Sequence, residues 1–126
     1  MNQTTTREYT ADARSSAVFG RVLCACRNHH FVVDGPIQNG CPGEAVTPAE
    51  LFLASVAACG VELVQVIARE QNVPVGEVGV HISGLVDRAH PVRTDYTVFN
   101  KVQMRFNLRG VSPEQGAILV QQFKRR

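Results

Sequence analysis

The sequence predicts an α+β domain, with two helices packed on a largely antiparallel sheet. Three observations carry that reading. Two segments, "TPAE" at Thr47–Glu50 and "SPEQ" at Ser112–Gln115, have the form of a helix start. In "KVQMRFNLRG" the apolar residues Val102, Met104, Phe106 and Leu108 alternate with polar ones, the period-two signature of a half-buried strand. Residues 17–34, "AVFGRVLCACRNHHFVVD", read as two short strands around a turn at Arg27 to His29. With 126 residues the chain is long enough for one domain, 1–126.

The elements follow in order. After the first two strands, "DGPIQNGCPGE" from Asp34 to Glu44 is a loop, dense in Gly, Pro and Asn. It feeds a long helix. Thr47 is the N-cap, Pro48 suits the first helical position and Glu50 completes a capping box. The helix is expected to run to about Asn72, where Val73-Pro74 stops it. Its first half is apolar on most sides and its second half amphipathic, which predicts a helix buried at the centre of the fold and surfacing late. Val78, Val80 and Ile82 alternate in "EVGVHISGLVD" and predict a third strand. "AHPVRTD", around Pro91, turns into the fourth, at Lys101 to Arg109. Ser112 caps the last helix, with Gln115 as its reciprocal partner. That helix reaches Arg126 with no Gly, Asn or Pro to end it, which suggests a chain cut short.

Composition narrows the function. The formal net charge is +2, and six of the thirteen basic residues lie at Lys101 and beyond, including the terminal "KRR". No basic stripe is interleaved with aromatics and Trp is absent, so nucleic acid is not the expected partner. "MNQTTTREYTADARSS" carries no apolar segment of a signal peptide. The uncharged run from Leu51 to Val61 is eleven residues, whereas a membrane span needs about 20. A cytoplasmic protein with no membrane partner and four reduced cysteines is expected.

Those cysteines are the candidate chemistry. Cys59 sits within the apolar run. A free cysteine often behaves as a small buried hydrophobe. A reactive one needs a nearby cation, base or helix N-terminus. Cys59 lies three turns into its helix, beyond the reach of the N-terminal dipole. Glu62, one turn on, would raise its pKa if close. Any activating Arg or His must therefore come from another element or another subunit. Cys24 and Cys26 would share one strand face. With His29, His30 and Cys41 they could be drawn as a metal site, but the C-x-C-x2-HH spacing matches no common zinc pattern and no metal is expected. Cys41, in the loop, is either an exposed thiol or a group that resolves an oxidised Cys59. Glu50 could be a catalytic carboxylate. It stands nine residues from Cys59, half a turn out of phase, and the capping box already accounts for it. No Ser-His-Asp order, G-x-S-x-G, phosphate-binding Gly loop or H-E-x-x-H is present.

"HHFVVDGP", a Gly-containing loop, "TPAELFLASVAAC" and "GVELVQVIARE" together resemble the OsmC/Ohr family of thiol peroxidases. The resemblance spans roughly His29 to Phe123. Its most specific part is the Pro-x-Glu-Leu run at Pro48 to Leu51, which ends eight residues later at Cys59. It implies an intertwined α+β homodimer with two active sites at the subunit interface. It implies that a cysteine at the position of Cys59 reduces organic hydroperoxides or hydrogen peroxide and becomes a sulfenic acid. A second cysteine and a dithiol reductant would then regenerate it, with no cofactor. An arginine of the N-terminal strands stabilises the thiolate in the family; Arg21 is the first candidate here and Arg14 the second. Two departures stand out. The family's second cysteine, in a Cys-Pro motif of the last helix, would begin about where this chain ends. The acidic residue expected directly after the proline is Ala49, and the nearest carboxylate is Glu50. The expected function is a cytosolic thiol-dependent peroxidase acting through Cys59, Arg21 and Glu50. The alternative is a non-catalytic OsmC-like domain that binds a small apolar ligand at the dimer interface. A third reading is metal binding through Cys24, Cys26 and His29 or His30.

Overall fold

The computed structural model of the protein describes residues 5–126. The chain divides into two compact parts, Met1–Leu51 and Phe52–Arg126.

The first part is a three-stranded antiparallel sheet in the order β1-β2-β3, formed by Asp12–Ser15, Arg21–Cys26 and His29–Asp34. The β2–β3 hairpin turns on Arg27 and Asn28, with Arg27 at a left-handed φ of 54°. That register sets Arg21 opposite Asp34 and Cys26 opposite His29. Strand β1 was not expected from the sequence. Its residues, "DARS", are all exposed and mostly polar, so no apolar periodicity marks them; pairing with β2 makes the strand. The segment expected as a loop from Asp34 to Glu44 is one from Gly35 onward, with one 3₁₀ turn at Ile37–Asn39, while Asp34 itself ends β3. Among the described residues, Val33 is the one buried hydrophobic side chain of this part.

The second part holds the body of helix α1 (Pro48–Glu70), the antiparallel pair β4 (Val78–Leu85) and β5 (Lys101–Leu108), and helix α2 (Pro113–Phe123). Both helix starts form as the sequence predicts. The Thr47 N–H donates to Glu50 Oε1 at 3.0 Å, and the Glu50 N–H donates to Thr47 Oγ1 at 3.4 Å. Ser112 and Gln115 make the same reciprocal pair. Helix α1 ends at Glu70, two residues before the expected end. Asn72 takes a left-handed φ of 55°, the Val73 N–H bonds the Ala68 carbonyl at 2.8 Å and the Asn72 N–H bonds that of Arg69 at 3.2 Å. This is the Schellman arrangement with Asn in place of the usual Gly. Helix α2 stops at Phe123 rather than running on to Arg126.

The expectation of a helix buried early and surfacing late is reversed. The buried residues of α1 are Gly60, Val64, Ile67 and Ala68, all in its second half, while Phe52, Ala54, Ser55, Ala58 and Cys59 are exposed. Val64, Ile67 and Ala68 form a core with Leu119 of α2, flanked by Phe106, Leu108 and Phe123. Apolar sequence in the first half specifies a need for burial; it does not specify that the cover lies in the same chain. The eleven-residue apolar run also understates this helix. Its 23 residues, with a mean hydropathy of 2.1 over the most apolar 18, meet the length and composition of a membrane span. Its exposed polar residues Glu62, Gln65 and Arg69 alternate with a buried stripe packed on protein, the pattern of a core helix.

Ile67 is 1% exposed at the centre of that core. Ile67→Ala is expected to destabilise the protein by about 2–5 kcal/mol, from lost transfer energy and the residual cavity. Chemical denaturation at a fixed protein concentration checks this, and a loss under about 1 kcal/mol would contradict the packing described.

Candidate functional site

Cys59 owes its exposure to the residue that follows it. Gly60 is buried against β5, and a Cβ there would lie 3.2 Å from Met104 Cε and from the Phe106 ring. Helix and strand approach that closely only because position 60 has no side chain. One residue back, about 100° around the helix, Cys59 points away from this contact and is exposed. It continues a stripe of exposed residues, Phe52, Ser55, Cys59 and Glu62, spaced for one helix face. The Ser55 hydroxyl is already engaged, donating to the Phe52 carbonyl at 2.6 Å. At the N-terminal end of the stripe, Phe52 stacks on Phe99 with ring centroids 5.7 Å apart. Together with Thr97, Val98 and Val102 these rings line an apolar cleft.

Arg21 occupies a different setting. Its Nε donates to Asp34 Oδ1 at 2.8 Å and its Nη2 to Asp34 Oδ2 at 2.9 Å, a two-bond fork. The same Nη2 donates to Glu44 Oε1 at 2.8 Å. Asp34 has no exposed surface, and its Oδ2 also accepts from the backbone N–H groups of Glu44 (3.0 Å) and Ala45 (2.9 Å). The Arg21 guanidinium thus holds the Asp34 carboxyl far below the usual carboxylate range, with the two backbone donors acting in the same sense. In return Asp34, and then Glu44, raise the already high pKa of Arg21. Sequence reading singled out Arg21 but missed Asp34 and Glu44. The signal was present: a turn at Arg27-Asn28 places residues 21 and 34 opposite each other.

Glu50 lies in the α1 cap. Both the Thr47 N–H and the Thr47 hydroxyl donate to its Oε1, and the backbone donor foremost holds its pKa below the ordinary value. Nine residues from Cys59 at 3.6 per turn, it projects from the opposite side of the helix. Arg14, the second arginine candidate, sits in β1 opposite Leu23.

Cys41 is wedged rather than loose. A Cβ added to Gly20 would lie 2.4 Å from its Sγ, and one added to Gly35 would lie 2.5 Å away. The half-buried thiol therefore fills a slot that exists because both neighbours are glycine. Its Sγ contacts the Asn39 carbonyl at 3.8 Å. Cys26 faces His29 across the hairpin and Cys24 faces Phe31, whereas His30 pairs with Ala25 and so falls on the other face of the sheet. Among the described residues no group of three or more His, Cys, Asp or Glu side chains is placed to hold a metal ion, and the metal-binding reading finds no support.

The comparisons with known proteins bear on this arrangement of an exposed helix thiol and two antiparallel sheets. The sequence profile of OsmC-like proteins matches residues 41–126. The chain belongs to the OsmC-like protein family. Solved OsmC-like structures share its fold. An OsmC-like protein from Mycoplasma pneumoniae superposes with a TM-score of 0.80 at 13% identity, covering 95% of this chain and 82% of the other. An organic hydroperoxide resistance protein OsmC from Legionella pneumophila gives 0.71 at 21% identity, covering 97% and 85%. An organic hydroperoxide resistance protein from Elizabethkingia anophelis, with crystallant-derived thiocyanate bound, gives 0.75 at 19%, covering 98% and 85%. No curated protein sequence matches the chain. The profile includes Cys59, Glu50 and Glu44, while Arg21 and Asp34 precede it.

The Asp34 cluster is expected to make this OsmC-like chain acid-sensitive. The folded pKa of Asp34 lies below its unfolded value, so its stabilisation is complete above about pH 4 and is lost as pH falls through the folded value. Thermal midpoints are expected to fall as the pH drops below about 4, and Asp34→Asn is expected to lower the midpoint at pH 7 while flattening that acid dependence. Parallel pH profiles for the two proteins would contradict the assignment.

Proposed function

We propose that this OsmC-like protein is a thiol-dependent peroxidase in which Cys59 reduces hydroperoxides. The observation that carries the reading is the exposed thiol of Cys59 on helix α1, at the position the sequence resemblance implies for the reactive cysteine. The relatives from Legionella and Elizabethkingia, named as organic hydroperoxide resistance proteins, lend it support. The Cys59 thiolate attacks the distal peroxide oxygen. An S–O bond forms as the O–O bond breaks; sulfur loses two electrons, the peroxide gains them, and the alkoxide leaves as an alcohol after taking a proton. A dithiol reductant then displaces water from the sulfenic acid and, through a mixed disulfide, returns the thiol while becoming a disulfide. A reducing, cytoplasmic setting suits that cycle. Arg21 is the candidate cation for the thiolate, and the role of Glu50, as partner of the N-cap Thr47, is to fix the start of the helix that carries Cys59. In this reading the reductant acts on Cys59 directly.

The working unit in this reading is a homodimer. The first half of α1 exposes Phe52, Ala54 and Ala58, and both sheets leave edge strands unpaired. The N-terminal sheet buries one hydrophobic side chain, Val33. Such surfaces call for cover, and a second copy offers matching ones. Sedimentation is expected to give twice the chain mass of 13.8 kDa; a monomer at micromolar concentration would remove the dimer from the proposal.

A second reading rests on the apolar cleft of Phe52, Thr97, Val98, Phe99 and Val102. It makes the protein a non-catalytic binder of a small apolar ligand. Intact mass after one equivalent of cumene hydroperoxide, with a sulfenic-acid trap present, separates the two. A single trapped adduct on Cys59, absent in a folded Cys59→Ser variant, is expected of the peroxidase. No change over an hour would leave the binding reading.

A further inference from the structure

The guanidinium of Arg21 is divided unequally between two carboxylates. Asp34, fully buried, takes the side-on fork of Nε and Nη2 and is itself locked by the Glu44 and Ala45 N–H groups. Arg21 is 28% exposed, and Asp34 fixes its orientation. The other fork of the same group, formed by the outer N–H of Nη2 and the facing N–H of Nη1, is half used. Glu44 makes one bond to it, from Nη2, and among the described residues Nη1 has no hydrogen-bond partner. The Glu44 side chain is 77% exposed and, among the described residues, makes no other hydrogen bond, so little holds it in place. Its backbone stays anchored to Asp34 whatever its side chain does.

We propose that this outer fork of Arg21 is a binding site for a small-molecule carboxylate, with Glu44 as its exchangeable internal occupant. A free carboxylate reaching the fork makes two parallel charge-assisted bonds where Glu44 makes one, on a guanidinium already oriented by Asp34. Glu44 competes because it is tethered beside the site at high effective concentration. The site lies within the N-terminal part, so the inference goes beyond the peroxidase reading and stands whether or not Arg21 serves Cys59.

Acetate is the probe. It is titrated into ¹⁵N-labelled full-length protein at constant ionic strength, with the Arg21 Nε–Hε signal followed by NMR and acetamide as the neutral isostere. Glu44→Gln removes the competing charge and keeps the backbone donors to Asp34; Glu44→Ala serves as the second variant. Both are expected to show a saturable acetate shift centred on Arg21 with a Kd about tenfold below that of the unaltered protein, and acetamide is expected to give none. Identical acetate curves with and without Glu44, a shift that does not saturate, or one that acetamide reproduces would overturn the site. Loss of peroxide reactivity at Cys59 would count against the catalytic reading alone, since this readout does not involve that thiol.

Discussion

A carboxylate without solvent contact must have its charge answered by the protein, and Asp34 imposes that demand on the whole N-terminal part. Four donors meet it: two from Arg21 and one each from the backbone of Glu44 and Ala45. They come from the start of β2 and from the far end of the loop that follows β3. One buried charge therefore ties the hairpin to the loop leading into α1. With Val33 as its one buried hydrophobic side chain among the described residues, this part relies on directed polar bonds where a larger core would rely on area. The close packing of Cys41 between Gly20 and Gly35 works toward the same end by steric means.

The second part solves the opposite problem. Its helix α1 has more apolar surface than its own elements can cover. The C-terminal half is covered by β4, β5 and α2, with Phe106 and Phe123 in tilted contact at 5.5 Å between centroids. The N-terminal half presents Phe52, Ala54, Ala58 and Cys59 to the outside. Gly60 marks the boundary between the two halves. Its missing side chain lets β5 come close on one side, and the helical rotation of about 100° per residue leaves Cys59 facing away from that contact. A reactive thiol gains from that placement, because its sulfur is accessible while its backbone is held by a packed helix.

The ionisable groups fall into two kinds. Asp34 and Glu50 have lowered pKa values because protein donors satisfy their charged forms, and both act on structure: one locks a loop, the other caps a helix. Glu44 is bound by one side-chain bond and remains largely in water. That difference in restraint, rather than any difference in chemistry, separates the carboxylate that holds Arg21 from the one that can leave it.

Much of the architecture was written in local sequence. "TPAE" and "SPEQ" specify helix starts because Ser, Thr, Glu and Gln side chains reach backbone donors within three residues. The alternation from Lys101 to Leu108 specifies a strand because successive side chains point to opposite faces. The family, too, was legible, in the run from Pro48 to Cys59. Other features depended on residues far apart in the chain. Strand β1 has no periodicity of its own and exists through pairing with β2. The pairing of Arg21 with Asp34 needed a turn placed to the residue, and Glu44 needed the loop folded back on it. The slot around Cys41 needed Gly20 and Gly35 brought to either side. The burial of α1 was misjudged for a related reason. Hydrophobicity is a property of each residue, but burial belongs to whatever stands opposite, and only the tertiary structure decides where that partner lies.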